Sequence, residues 1–279
     1  MVKIAPSILS GNFLNLEPDI RMVNENADLI HIDVMDGSLV PNISFGFPVM
    51  EAIAKAVTVP MDVHLMIVNP DKYIERFARC GADMISFHLE AADRSGKDPK
   101  DIIALIKSCG AKAGLAINPD IPVERLFPYI EDVDFFLIMS VFAGFGGQKF
   151  IVESIDRIKA LKAEMDRRGT VKDIEVDGGV SASNSGILAD DDVGCGKLCL
   201  QSRESGQSYC RTSLDDITYL LKGELGTFAF FRFKTKHTTV GDTDDSGTYW
   251  HPCRADDIFI ERSEPIESGG IFIGVVVAA

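Results

Sequence analysis

Short apolar segments alternate with amphipathic segments through the first 189 residues of the chain. The apolar segments have the length and composition of buried strands and lie at residues 3–9, 29–35, 61–67, 84–89, 111–117, 135–141 and 173–177. The segments between them place apolar residues at helical spacing, as at residues 48–57, 70–80, 99–108 and 154–168. Pro48, Pro70 and Pro99 each stand in the first turn of such a segment, where a helix tolerates proline.

This alternation of strand and helix predicts parallel strands joined by helical crossovers. With one further unit, the seven units would close an eight-stranded (βα)8 TIM barrel, a fold of about 250 residues. An open doubly wound sheet is the alternative. Such a sheet would carry a glycine-rich phosphate loop after its first strand, and residues 7–10 are not glycine-rich.

The pattern becomes irregular beyond residue 189, where cysteines become frequent and prolines rare. Residues 197–201 could form a short strand, and residues 213–225 place Leu214, Ile217, Leu220 and Leu221 on one face of a predicted helix. Residues 226–279 are β-rich, with strand candidates at 228–233, 257–261 and 271–277. We therefore expect a barrel with an atypical eighth unit over residues 1–225. A C-terminal extension over residues 226–279 would be either a small appendage or a disordered tail.

Composition and charge exclude some classes of protein. The 279 residues are 46% hydrophobic, 25% charged and carry a net charge of -14, which argues against a protein that binds duplex nucleic acid. No apolar run reaches the ~20 residues of a membrane-spanning helix. The six cysteines form no CxxC pair and no signal-peptide pattern precedes them, so we expect a reducing, cytoplasmic compartment.

Polar residues interrupt three of the predicted strands near their carboxyl ends. Alternation along a strand places His31 and Asp33 on one face, while His64 and Asp177 belong to two other strands. Two imidazoles and two carboxylates arriving at one end of a barrel predict a site for one divalent metal ion, and the mixed nitrogen and oxygen ligands suit Zn²⁺, Mn²⁺, Fe²⁺ or Co²⁺ alike. The alternative is that each histidine is a hydrogen-bonded core residue.

Three further features of the sequence have a structural and a functional interpretation. His88 and Glu90 end the fourth predicted strand and either support the metal site or form polar core. Residues 242–247 begin like a calcium loop, but Cys253 occupies its twelfth position in place of the required glutamate, so a solvated turn is favoured. Two glycine-rich loops, at residues 144–148 and 178–179, follow the sixth and seventh predicted strands, and such loops let backbone N–H groups approach a phosphate closely.

Residues 1–189 closely resemble the ribulose-phosphate 3-epimerase family and its sugar-phosphate 3-epimerase relatives. The motifs that carry the resemblance are APSIL at 5–9, HIDVMDG at 31–37, VPN at 40–42, DVHLM at 62–66, GFGGQ at 144–148 and VDGG at 176–179. The resemblance implies a TIM-barrel isomerase that interconverts D-ribulose 5-phosphate and D-xylulose 5-phosphate by two-base proton transfer at C3 through a metal-stabilised enediolate.

The resemblance also assigns roles to individual residues. It implies that His31, Asp33, His64 and Asp177 bind the metal and that Asp33 and Asp177 are the acid/base pair. The residues implied to bind substrate and its phosphate are Ser7, His64, Gly144, Phe145, Gly146, Gly147, Gly178 and Gly179. Met35, Met66 and Met139 are implied to form an apolar wall beside the enediolate. We expect a small sugar phosphate as ligand, a homo-oligomer, and no nucleic-acid or membrane partner.

The chain also departs from the family pattern. Ser38 stands where many members have histidine, and Phe142 and Ala143 replace the usual polar residue and proline, which leaves allulose 6-phosphate 3-epimerase activity as an alternative. Residues 190–199 lack the Gly-Ser that completes the family's phosphate clamp, so a catalytically impaired phosphosugar-binding protein is a second alternative. A frameshift within residues 190–279 is our hypothesis for this departure, and the coding DNA would test it.

Overall fold

Eight parallel strands form the main sheet of the protein. The computed structural model describes residues 2–189, 197–200, 207–213, 216–222, 228–235 and 258–261. The strands are β1 (Lys3–Pro6), β2 (Ile30–Met35), β3 (Met61–Met66), β4 (Ala82–His88), β5 (Lys112–Ile117), β6 (Phe135–Met139), β7 (Asp173–Asp177) and β8 (Lys197–Leu200). Each of the first seven lies within or beside a segment predicted from the apolar pattern.

The order of the strands and one additional bridge establish the topology. The hydrogen-bonded order is β1-β8-β7-β6-β5-β4-β3-β2, with every pairing parallel. A parallel bridge between Ser7 and His31 then joins β1 to β2, the two ends of this order. An open doubly wound sheet has no such contact between its edges, so the arrangement is that of a parallel α/β barrel.

Helices connect the strands. They are α1 (Glu17–Asn26), α2 (Phe47–Ile53), α3 (Ile74–Arg79), α4 (Leu89–Ser95), α5 (Pro99–Ser108), α6 (Ser154–Arg168) and α7 (Ala182–Leu188). The predictions for α5 and α6 are confirmed to the residue, and the Asp98 side chain caps α5 by accepting from the backbone N–H of Lys100. The predicted helix at 70–80 is instead a 3₁₀ turn (Pro70–Lys72) followed by α3.

The core has an outer and an inner layer. Outward-facing strand residues such as Ile32, Val63 and Ile85 belong to one large apolar cluster that includes Ile106 and Leu161 of the helices. The inner layer has to fit the narrow space between the strands. At Gly114 a Cβ would lie 2.3 Å from the ring of Phe135, so the glycine makes room for that ring.

The prediction of a helix over residues 213–225 is wrong. Strands β9 (Gln207–Ser213), β10 (Asp216–Lys222), β11 (Phe228–Thr235) and β12 (Ile258–Glu261) form an antiparallel sheet in the order β12-β11-β10-β9. The sequence of β10 alternates Ile217, Tyr219 and Leu221 with other residues, so its apolar positions suit a strand as well as a helix. The predicted strand at 271–277 lies outside the described residues.

Across the described part of the chain, none of the helices combines the length and the apolar character needed to cross a membrane.

Candidate active site at the carboxyl ends of the strands

Four buried polar side chains meet inside the barrel. His31 and Asp33 come from β2, His64 from β3 and Asp177 from the last position of β7. Each offers a ligand-type atom, and these atoms all lie within 4.8 Å of one another. Parallel register explains part of this, because Asp33 and His64 are direct partners on neighbouring strands. The four side chains predicted as metal ligands are thus brought together.

Asp33 is central to the cluster. Its Oδ1 atom lies 3.1 Å from Nδ1 of His64 and 3.3 Å from Nε2 of His31. Its Oδ2 atom accepts a 2.5 Å hydrogen bond from the hydroxyl group of Ser7 at the end of β1. Nδ1 of His64 also lies 3.8 Å from Oδ2 of Asp177. Two carboxylates therefore approach the same imidazole nitrogen.

The environment shifts the pKa values of the two aspartates in opposite directions. Burial alone would raise the pKa of Asp33, but charge attraction and hydrogen bonds from His31 and His64 outweigh burial and hold it well below its ordinary value. Burial raises the pKa of Asp177 well above its ordinary value, and the negative charge of Asp33 raises it further. The site therefore holds two carboxyl groups of different acidity, and Asp177 is the weaker acid of the two.

The two histidines of the cluster have different surroundings. Burial lowers the pKa of His64 to about 4, against the opposing hydrogen bond to Asp33. Nδ1 of His31 lies 3.1 Å from Oδ2 of Asp62 and 3.3 Å from Oε1 of Glu175. A proton on Nδ1 of His31 is favoured by these carboxylates, which leaves Nε2 as the coordinating atom.

Asp62 and Glu175 also lie beside the cluster, although the sequence alone assigned them no role. Both are fully buried and together with His31 form a second group of ligand-type side chains. The signal was present in the alternation of the strands, since Asp62 precedes His64 by two residues and Glu175 precedes Asp177 by two.

The imidazole of His88 lies next to that of His64. Nε2 of His64 lies 2.9 Å from Nε2 of His88, and Nδ1 of His88 lies 3.5 Å from Oε1 of Glu90. His88 is fully buried at the end of β4, and Glu90 also accepts a hydrogen bond from the backbone N–H of Asn118.

The two glycine-rich loops follow β6 and β7 at the same end of the barrel as the cluster. Gly144, Gly147, Gly178 and Gly179 all have positive φ angles, of 124°, 71°, 109° and 62°. At Gly179 a Cβ would lie 2.4 Å from the backbone N of Phe150, so only glycine lets the two loops approach this closely. Gly146 lies in the first loop, and Phe145 beside it is half exposed.

The three predicted wall residues are also near one another. Met35, Met66 and Met139 are buried at the ends of β2, β3 and β6, and they belong to one apolar cluster with Leu137 and Val141. The calcium-like loop at 242–247, residues 190–196 and the cysteines Cys195 and Cys253 lie outside the described residues.

The sequence of this chain is similar to those of known proteins. Residues 3–196 match the ribulose-phosphate 3 epimerase family. The chain is 43% identical over 220 residues to ribulose-phosphate 3-epimerase of Bacillus subtilis, which covers 78% of this chain and 98% of that protein. It is 45% identical over 185 residues to the enzyme of that name from Synechocystis, covering 66% of this chain and 80% of that protein.

Solved structures show a likeness of fold. A tryptophan synthase α-subunit from Pyrococcus furiosus matches with a TM-score of 0.53 and 15% identity, covering 72% of this chain and 88% of that one. At this identity the match concerns the fold alone.

Proposed function

Because the chain belongs to the ribulose-phosphate 3-epimerase family, a family of isomerases, we propose that it interconverts D-ribulose 5-phosphate and D-xylulose 5-phosphate. The observation that carries this proposal is the buried cluster of His31, Asp33, His64 and Asp177 at the mouth of the barrel. TIM-barrel enzymes carry their active sites at this end of the strands.

The donor set of the cluster fits a divalent metal ion. Two imidazoles and two carboxyl groups suit Zn²⁺, Mn²⁺, Fe²⁺ or Co²⁺, and the carboxylates behind His31 are the usual support of a ligating histidine. Held by these residues, such an ion would supply Lewis-acid stabilisation of the negative charge that develops on the substrate. The reloading experiment described below identifies which of the four ions supports turnover.

The two aspartates suit an inversion at C3. One carboxylate removes the C3 proton, and the C–H electron pair moves toward the C2 carbonyl to give an enediolate. The other carboxyl group then donates a proton to C3 from the opposite face, which inverts the carbon. The pKa of Asp33 lies below its ordinary value and that of Asp177 lies above it, so the two carboxyl groups differ in acidity as a base and an acid must.

Other side chains would position the substrate. We assign Ser7 and His64 to substrate contacts beside Asp33. The backbone of the loops containing Gly144, Phe145, Gly146, Gly147, Gly178 and Gly179 is assigned to the phosphate group. Met35, Met66 and Met139 would exclude water beside the enediolate, because thioether side chains are apolar and adaptable.

The proposal extends to the division of the chain into units, to its cellular compartment and to its assembly. We propose that residues 1–225 contain the catalytic unit and that residues 226–279 are an extension. We also propose that the protein is a cytoplasmic homo-oligomer. Measuring the mass of the native protein in solution tests the assembly, and a chain ending at residue 225 with unchanged turnover would support the division.

The departures at Ser38, Phe142 and Ala143 favour one second candidate, a 3-epimerase of the hexulose phosphate allulose 6-phosphate. Ser38 is exposed in the loop after β2, where its carbonyl accepts a hydrogen bond from Arg94. Phe142 is half exposed in the loop after β6. Both loops border the mouth of the barrel, where the length of the sugar would be sensed.

A side-by-side assay tests these alternatives. The purified protein is stripped of metal with a chelator, reloaded with each of the four ions, and assayed with pentulose 5-phosphate and hexulose 6-phosphate. The proposal predicts no turnover without metal and higher kcat/KM for ribulose 5-phosphate. Higher kcat/KM for allulose 6-phosphate would establish the second candidate, and phosphosugar binding without turnover under every condition would indicate the impaired protein.

A further inference from the structure

We infer that His88 and Glu90 are positioning residues that fix the proton of His64 on Nε2 and so present its Nδ1 lone pair to the metal. The inference rests on the proposed metal site and adds residues that no motif of that site contains. It concerns three neighbouring side chains: His64 of β3, His88 of β4, and Glu90 in the first turn of α4.

The geometry of the two imidazoles is that of a hydrogen bond in the plane of the rings. Their Nε2 atoms are 2.9 Å apart, the ring centroids are 5.0 Å apart, and the ring planes differ by 20°. A centroid separation this long, for nitrogens this close, means that the rings meet edge to edge with the two nitrogens pointing at each other. Both rings are fully buried, so water does not compete for this bond.

When both rings are neutral, a single proton lies between the two facing Nε2 atoms, and one ring donates it to the other. If Nδ1 of His64 coordinates the metal, the proton of His64 must be on Nε2, and Nε2 of His88 must accept it. The proton of His88 is then on Nδ1. Oε1 of Glu90 lies 3.5 Å from that nitrogen, outside hydrogen-bond geometry, so the carboxylate attracts this proton through its charge.

A hydrogen bond from the backbone holds the carboxylate of Glu90 in this position. The same Oε1 atom accepts a hydrogen bond of 2.9 Å from the backbone N–H of Asn118. The resulting order is carboxylate, imidazole, imidazole, metal. At His31 the order is carboxylate, imidazole, metal, because Asp62 and Glu175 face Nδ1 of His31 directly. Each proposed ligating imidazole therefore has a carboxylate behind it, fully buried at His31 and partly buried at His64.

The test uses metal affinity in place of activity. Zn²⁺ is titrated against a chelating dye in the wild type and in the variants His88→Leu and His88→Gln. Leucine removes the acceptor for His64, so we expect affinity to fall about tenfold or more. The glutamine Oε1 reaches the position of the imidazole Nε2 and can accept the same hydrogen bond, so we expect this variant to remain within about threefold of wild type.

Ser86→Ala is the matched control. Ser86 is fully buried on the same strand, two residues before His88, and its hydroxyl has no hydrogen-bond partner among the described residues. We expect unchanged Zn²⁺ affinity in this variant. If His88→Leu and Ser86→Ala bind Zn²⁺ equally well, the positioning role is wrong while the metal site stands. If wild type binds no metal, the proposed site and this inference fail together.

Side-chain ¹⁵N NMR of the zinc-loaded protein reads the proton positions directly. We expect His64 to be protonated on Nε2 and His88 on Nδ1, with Glu90→Gln reducing the protonated fraction at Nδ1 of His88. A zinc-loaded wild type in which His88 carries its proton on Nε2 would overturn the inference, whatever the affinities are.

Discussion

The hydroxyl group of Ser7 donates a 2.5 Å hydrogen bond to Oδ2 of Asp33. Because Oδ1 of Asp33 faces His31 and His64, the two oxygens of this carboxylate have different surroundings. Ser7 reaches Asp33 only because the Ser7–His31 bridge joins the first strand to the second. Closure of the barrel thus completes the environment of the proposed base.

Ser7→Ala should slow epimerisation without unfolding the protein. The variant removes a hydrogen bond to a charged group, which is worth roughly 1.5–3 kcal/mol, so we expect kcat/KM to fall on the order of tenfold to a hundredfold. The control is Ser95→Ala, because the hydroxyl of Ser95 donates only to helix carbonyls of α4. Equal kcat/KM in the two variants would show that the Ser7 hydroxyl does not serve the reaction.

Gly179→Ala should impair both stability and phosphate binding. The residue has a φ of 62°, and its Cβ would lie 2.4 Å from the backbone N of Phe150. We expect the free energy of unfolding to fall by about 1–3 kcal/mol and KM for ribulose 5-phosphate to rise more than kcat falls. Gly186→Ala in α7 is the control, since no atom lies within 4 Å of its Cβ. An unchanged KM in a folded Gly179→Ala variant would contradict the phosphate assignment.

Glu90→Gln should reduce stability in a pH-dependent way. Burial would raise the pKa of Glu90, but the interaction with His88 and hydrogen bonds from backbone N–H groups outweigh burial and lower the pKa from 4.5 to about 2. A depressed carboxyl pKa contributes stability above pH 4.5 that is lost as the pH falls toward 2. This contribution is at most roughly 3 kcal/mol.

Urea unfolding of the metal-free protein at several pH values measures this contribution. The difference in unfolding free energy between wild type and Glu90→Gln should be constant above pH 4.5 and should shrink below it. Glu124→Gln controls for the loss of one negative charge at an exposed position. A difference that grows as the pH falls would contradict the sign of the shift.

The sequence grouped the four side chains that the structure brings together because alternation along each strand and the order of parallel strands can both be read from the pattern. His31 and Asp33 share a face at a spacing of two, and parallel order brings strand ends together wherever a barrel closes. Glu175 follows the same rule, yet one sequence does not tell a buried glutamate behind a ligand from a surface residue at the start of a strand. That distinction depends on the neighbouring strands.

The misassigned segment at residues 213–225 shows the opposite case. Its apolar residues satisfy the spacing of a helix and the alternation of a strand, so periodicity alone cannot choose between them. Pairing of β10 with β9 and β11 makes the choice, and pairing between distant segments is not encoded in any one segment. The contact between His64 and His88 is likewise tertiary, and it selects between the two roles that the sequence leaves open for His88 and Glu90.

The central claim is that Asp33 and Asp177 exchange protons with C3 of the substrate. The most direct test follows deuterium incorporation at C3 of ribulose 5-phosphate in D₂O, together with formation of xylulose 5-phosphate, by wild type and Asp177→Asn. We predict that the variant keeps its fold by circular dichroism and loses C3 exchange and epimerisation. An Asp177→Asn variant that exchanges and epimerises at the wild-type rate would contradict the account.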